Sequence, residues 1–174
     1  MRKLTYHVAA TVDGFIARSD GGVDCFAHEG DHVTEYLAAL KAYDAVVMGR
    51  RTYEFGLKLG VTDPYPWMDT YVVSRTMKES PDARVKLVAE DAAGAVRRLK
   101  EQQGGDIYLC GGGELATCLF DAGLVDEVIL KVAPVLLGGG VALSPGLRAA
   151  AQLDLLSTKV HRNGVIVSRY AVRR

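Results

Sequence analysis

The chain has 174 residues, 49% of them hydrophobic and 24% charged, with 21 Lys plus Arg balanced by 21 Asp plus Glu. That length suits one domain, residues 1–174, that buries roughly two-thirds of its unfolded surface. The apolar content excludes a disordered chain, the zero net charge leaves no footprint for nucleic acid or an anionic membrane, and no apolar run reaches the ~20 residues of a membrane-spanning helix.

The opening Met1-Arg2-Lys3-Leu4 does not begin a secretory signal, because Thr5, His7, Thr11 and Asp13 interrupt any apolar stretch. Cys25, Cys110 and Cys118 match neither a disulfide framework nor a zinc spacing. His7, His28, His32 and His161 show no zinc spacing either. The expectation is a cytoplasmic chain with reduced thiols and no metal.

In chain order, Leu4 to Ala10 reads as a strand. Val33, Tyr36, Leu37 and Leu40 form a helical stripe, with Asp31 before it as N-cap. Ala45 to Met48 is a short buried strand ending at Gly49, and Thr52 to Leu59 a short helix. Tyr71 to Ser74 and Val85 to Val88 are strands. Asp91 caps a helix carrying Ala92, Ala95, Val96 and Leu99, which Gly104-Gly105 stops. Ile107 to Cys110 is a strand that runs into Gly111-Gly112-Gly113, and Leu115, Cys118 and Leu119 make the next helical face, closed by Gly123. Val128 to Val132 is a strand followed by Pro134 and Gly138-Gly139-Gly140. Leu153 to Val160 and Val165 to Val172 flank Asn163-Gly164, a two-residue hairpin signal. Alternating buried strands and helices predict an α/β domain in three layers: a mostly parallel central sheet, helices on both faces, and a C-terminal antiparallel hairpin.

Such sheets bind ligands beyond the carboxyl ends of their strands, and the residues with chemistry cluster there. Gly111-Gly112-Gly113-Glu114-Leu115 joins a strand to a helix, so the backbone can approach a diphosphate at a helix N-terminus. The alternative is a tight turn without a ligand. Gly49-Arg50-Arg51-Thr52 also follows a strand, with two guanidinium forks and a hydroxyl for phosphate oxygens. The alternative there is a solvated charge pair, although cations at a helix N-terminus oppose its dipole. Ser74-Arg75-Thr76 suits a monophosphate; on a dinucleotide that is the adenosine 2′-phosphate of NADP. Ala9 and Ala10 leave room for a flat ring or pack a helix, and Asp13-Gly14 signals a turn. Tyr65 and Trp67, in a Pro-rich loop, either line a substrate or anchor that loop. Cys110 sits in a buried strand beside the glycine loop and is expected to be inert.

Taken in order, Val12-Asp13-Gly14-Phe15-Ile16-Ala17, Val47 to Glu54, Val73 to Thr76, Cys110 to Leu115, Leu124 to Glu127 and Pro134 to Gly140 resemble the dihydrofolate reductase-like superfamily over nearly the whole chain. The resemblance is nearest to the branch that contains the reductase domain of bifunctional riboflavin-biosynthesis proteins. It implies about eight strands and bound NADPH. Gly49, Arg50, Arg51 and Thr52 would hold phosphate, Ser74, Arg75 and Thr76 the 2′-phosphate, and Gly111, Gly112, Gly113, Glu114 and Leu115 the pyrophosphate. Ala9 and Ile16 would border the nicotinamide.

The chain lacks the Trp–Pro segment of dihydrofolate reductases and the Thr-x-x-x-Asp-Asp-Pro segment of riboflavin-pathway reductases. A folate-type carboxylate falls to Asp31 or Glu29, although Asp31 is also the natural N-cap of its helix, with His28 and His32 nearby. The expected function is hydride transfer from NADPH to a C=N or C=O group of a small heterocycle of pteridine or ribosylaminopyrimidine type. The alternative is a non-catalytic nucleotide-binding protein, a sensor or partner subunit. A homodimer through Val135-Leu136-Leu137 or the terminal hairpin is expected as well.

Overall fold

The computed structural model describes residues 1–173. They form one α/β domain around an eight-stranded sheet. The elements in order are β1 (Leu4–Thr11), β2 (Phe15–Ala17), α1 (Asp31–Leu40), β3 (Tyr43–Gly49), α2 (Arg50–Lys58), β4 (Asp69–Val73), β5 (Lys86–Val88), α3 (Ala92–Glu101), β6 (Asp106–Gly111), α4 (Gly113–Asp121), β7 (Glu127–Ala133), β8 (Val141–Ala142), β9 (Leu153–Val160) and β10 (Ile166–Val172). The sheet order is β5-β4-β3-β6-β1-β7-β10-β9, and β2 and β8 make a separate two-stranded ribbon. The strands from β5 to β7 pair in parallel, whereas β10 is antiparallel to both β7 and β9.

The central strands read as apolar runs because both faces of the sheet are covered. One core holds Leu4, Tyr6, Val47, Leu109 and Leu119 beneath α3 and α4. The other holds Leu40, Met48, Tyr53, Val72 and Tyr108 beneath α1 and α2. Asp91 caps α3 as expected, its carboxylate accepting from Gly94 N at 2.8 Å. Among the described residues no helix is long and apolar enough to cross a membrane.

Several local expectations are corrected. The N-cap of α1 is Gly30, at φ +115°, and Asp31 is the first helical residue with no capping bond from its side chain. On α1, Leu37 of the expected stripe faces solvent. Helix α2 begins at Arg50, so both arginines lie in its first turn. Helix α3 ends at Glu101, before Gly104-Gly105, where Gln102 turns extended. The hairpin loop has three residues: His161 N–H donates to Val165 O at 2.8 Å and Gly164 N–H to His161 O at 3.0 Å. Gly164 takes the left-handed position at φ +83° that such a bulged loop requires.

A candidate cofactor and substrate cleft

The carboxyl ends of β1, β3, β6 and β7 open on one edge of the sheet. At the end of β3, Gly49 is the N-cap of α2, and at the end of β6, Gly112 is the N-cap of α4. Neither cap has a side chain to satisfy the first N–H groups of its helix. Two nine-residue helices therefore present free backbone donors side by side.

A Cβ on Gly49 would lie 3.6 Å from Gly112 N and 3.8 Å from Gly111 O. A Cβ on Gly112 would lie 3.7 Å from Thr52 Oγ1 and 4.0 Å from Ile16 Cδ1. Gly49, Gly111 and Gly112 thus form one cradle of bare backbone, bordered by the side chains of Thr52 and Ile16. These residues fit a pyrophosphate, which needs close backbone approach and N–H donors. Gly113 serves packing instead: a Cβ there would overlap Ala142 O and lie 2.8 Å from Pro145 Cδ.

Arg50 reaches Glu54 at 3.0 Å, and Arg51 spans the two helix starts to Glu114 at 3.6 Å. Arg51 and Glu114 are exposed, while the side chain of Leu115 is buried in the core and leaves only its backbone for a ligand. Ser74 is buried; its Oγ accepts from Thr76 N at 3.2 Å and Met77 N at 2.9 Å. That turn holds Arg75 and Thr76 exposed at the end of β4. The Asp13 carboxylate accepts from Thr11 Oγ1, Leu137 N and Gly138 N, which ties the loop after β7 to the end of β1.

Ala9 and Ile16 open onto a cavity of about 290 Å³ between the sheet, α1 and the loop before it. Strand register puts His7 and Ala9 of β1, Tyr108 and Cys110 of β6 and Lys131 of β7 on the same face, with Ala9 opposite Lys131. Tyr36 of α1, His28 and His32 complete the polar lining. Lys131 Nζ stands 3.5 Å from the centre of the Tyr36 ring. The Tyr36 hydroxyl is 2.8 Å from that of Tyr108, and Tyr65 Oη lies 3.8 Å from Cys110 Sγ behind them. The His7 ring stands edge-on to Tyr36 at 5.0 Å, and its Nδ1 has no partner among the described residues.

This setting shifts the ionisations. Burial lowers the Lys131 ammonium to about 8, against a small opposing effect of Cys110. Burial, and secondarily the Lys131 charge, lowers His7 to about 3, so the imidazole is neutral. Burial pushes Tyr36 up to about 12 and raises the Cys110 thiol.

Asp31 and Glu29 are both exposed and neither lines the cavity, so the structure does not bring either carboxylate to it. His32 is buried, with Nδ1 3.2 Å from Asn163 Nδ2, and docks the hairpin loop on α1. Tyr65 packs behind the cavity, whereas Trp67 lies near the start of β4 with Asp44 and Asp69, away from it. Cys110 is partly open to the cavity rather than sealed in the core. Lys131, His7, Tyr36 and Tyr108 were missed as site residues. The available signal was a lysine between Leu130 and Val132 in an otherwise apolar strand.

The sequence matches the model of the RibD C-terminal domain over residues 2–167. It is 34% identical to "Uncharacterized protein YwjB" of Bacillus subtilis over 161 residues, 91% of each chain. The crystal structure of a "putative riboflavin biosynthesis protein" from Shewanella sp. PV-4 superposes with a TM-score of 0.86 at 27% identity, covering 100% of both chains. RibD of Acinetobacter baumannii shares the fold, with a TM-score of 0.74 at 18% identity, over 99% of this chain and 58% of that one.

Proposed function

The chain belongs to the RibD C-terminal domain family, the reductase domain of riboflavin biosynthesis proteins, and from that premise we propose that it is an NADPH-dependent oxidoreductase. Its substrate is a small heterocycle of pteridine or ribosylaminopyrimidine type with a reducible C=N or C=O group. The observation that carries the reading is the paired, uncapped starts of α2 and α4 around Gly49 and Gly112, continuous through Ile16 with the cavity beside Ala9.

NADPH, when bound, supplies the hydride. Backbone N–H groups of the Gly111–Leu115 segment and of Gly49 to Thr52 hold its pyrophosphate, with the Thr52 hydroxyl at hand. Arg75 and Thr76, presented by the Ser74 turn, hold the 2′-phosphate and select NADPH over NADH. Ala9 and Ile16 flank the nicotinamide, and α1 with its preceding loop keeps water from the ring.

The enzyme acts in the cytoplasm as a homodimer. Strand β9 supports that state: it forms the open edge of the sheet, with Leu155 and Leu156 more than half exposed at 58% and 53%. The test is a calorimetric titration with NADPH and NADH, followed by NADPH consumption with pteridine and ribosylaminopyrimidine acceptors. A clear preference for NADPH supports the reading; binding of neither cofactor refutes it. The second reading, a nucleotide-binding protein without catalysis, is favoured by the position of Asp31 and Glu29 outside the cavity. NADPH binding without consumption of any acceptor would select it.

A further inference from the structure

Among the described residues that line the cavity Lys131 is its one lysine or arginine, and no described carboxylate pairs with it. Among the described residues it makes no ion pair, and its ammonium stands over the π face of Tyr36, 3.5 Å from the ring centre. An ammonium taken out of water without a counter-ion costs free energy unless a ligand supplies an acceptor. No carboxylate lines this cavity. The groups facing Lys131 are His7 from β1, Tyr36 and His32 from α1, His28 from the preceding loop, and Tyr108 and Cys110 from β6. His7 is held neutral beside it, so the two cannot share the cationic role. Strand register sets Lys131 opposite Ala9, on the wall where the nicotinamide ring is proposed to lie.

We propose that Lys131 is the proton donor of the reaction, hydrogen-bonding through Nζ to the substrate oxygen or nitrogen next to the carbon that is reduced. The proposal rests on the reductase reading. As the carbon of the C=N or C=O group takes the hydride, its π electrons move to the heteroatom. The Nζ–H bond breaks and its proton goes to that heteroatom. Lysine is left as a neutral amine and regains a proton from water at the cavity mouth. Burial lowers the ammonium towards neutral pH, which suits this exchange.

The structure thereby predicts a preference for rings that present acceptors, testable without knowing the substrate. Two probes are 1,3-dimethyl-2,4-dioxopteridine, whose pyrimidine edge only accepts, and 2,4-diaminopteridine, whose pyrimidine edge puts amino donors where the first probe has carbonyl acceptors. Each is titrated by fluorescence into the wild-type protein, Lys131→Met and Lys131→Arg. The wild type should bind the dioxo probe about ten-fold tighter than the diamino probe, the effect of one hydrogen bond to a charged donor. Lys131→Met should abolish the preference, Lys131→Arg should keep part of it, and dioxo binding to the wild type should weaken as pH rises through about 8. NADPH binding, measured on the same variants, should be retained though not unchanged, since the phosphate contacts lie elsewhere while Lys131 borders only the nicotinamide end. With an active acceptor, Lys131→Met should lower turnover about 100-fold or more.

Equal dioxo binding by Lys131→Met, a wild-type preference for the diamino probe, or binding of neither probe overturns the proposal. Failure of the wild type to bind NADPH is a different result and removes the reductase reading itself.

Discussion

Gly49→Ala separates the ligand role of the glycine cradle from its role in folding. Gly49 has φ −78° and ψ 162°, a conformation open to alanine, and a Cβ there meets only ordinary contacts, 3.6 Å to Gly112 N and 3.8 Å to Gly111 O. Alanine restricts the unfolded chain, worth about 0.4–1 kcal/mol, and is a poorer N-cap than glycine by about the same amount. The folded protein should therefore keep its stability to within about 1 kcal/mol. The methyl group would stand 3.6 Å from Gly112 N, however, and crowd an anionic ligand held at that donor. Losing one hydrogen bond to a charged group costs about 1.5–3 kcal/mol, so NADPH affinity should fall about ten- to a hundred-fold. Gly113→Ala is the contrast. Its Cβ overlaps the Ala142 carbonyl and approaches Pro145 Cδ at 2.8 Å, and backbone cannot yield as a side-chain tip can. It should lower stability by about 1–3 kcal/mol. Urea denaturation and NADPH calorimetry on both variants decide. If Gly49→Ala binds NADPH like the wild type, or unfolds more readily than Gly113→Ala, the cradle is only a turn.

Burial of neutral His7, at about 3, makes stability fall as pH drops below the unfolded value of 6.5, because only the unfolded imidazole takes up a proton there. The slope is about 1.4 kcal/mol per pH unit, complete by the folded value, and urea midpoints between pH 7 and pH 5 should be flatter for His7→Gln than for the wild type. Asp91 combines a capping bond at 2.8 Å with a left-handed φ of +48°. Asp91→Ala should lower the thermal midpoint, costing about 2 kcal/mol from the lost cap and the added backbone strain, while Asp91→Gly, free of the strain, should cost less. If β9 pairs with a second copy, Leu155→Asp should shift the mass seen by sedimentation equilibrium from dimer to monomer; a mass unchanged by the substitution refutes the pairing.

The sheet and the order of its elements were legible because glycines punctuate several strand ends and the central strands are mostly apolar. Boundaries were less legible where glycine itself takes the terminal role. Gly30 caps α1 by adopting φ +115°, so the acidic residue after it is helical. At Asn163-Gly164 the dipeptide does mark the hairpin, but Gly164 serves as the bulge and lengthens the loop to three residues. The ribbon of β2 and β8 has three and two residues, too few to show an alternation. The association of Gly49, Thr52, Gly111 and Gly112 could be anticipated from the strand-end rule, whereas their approach to Ile16 depends on the crossing of the loop after β1.

The half of the cleft that would meet the substrate follows another logic. His7, Tyr108 and Lys131 lie inside strands, where a sheet covered on both faces hides the distinction between core and cavity. What distinguishes them is cost. His7, buried, and Lys131, half-buried, lie two positions apart on paired registers of one sheet face and lose hydration that packing does not return. Analogy with a folate site points to a carboxylate at Asp31 or Glu29, but both lie in solvent. Reversing the sign of the half-buried charge changes which ring edges the cavity can take: a carboxylate pairs with donors, and an ammonium pairs with acceptors. A shared fold can keep a phosphate cradle and still present an electrically opposite surface to its substrate; if Lys131 donates as proposed, the lysine rather than the glycine loops would decide which ring edges the cavity takes.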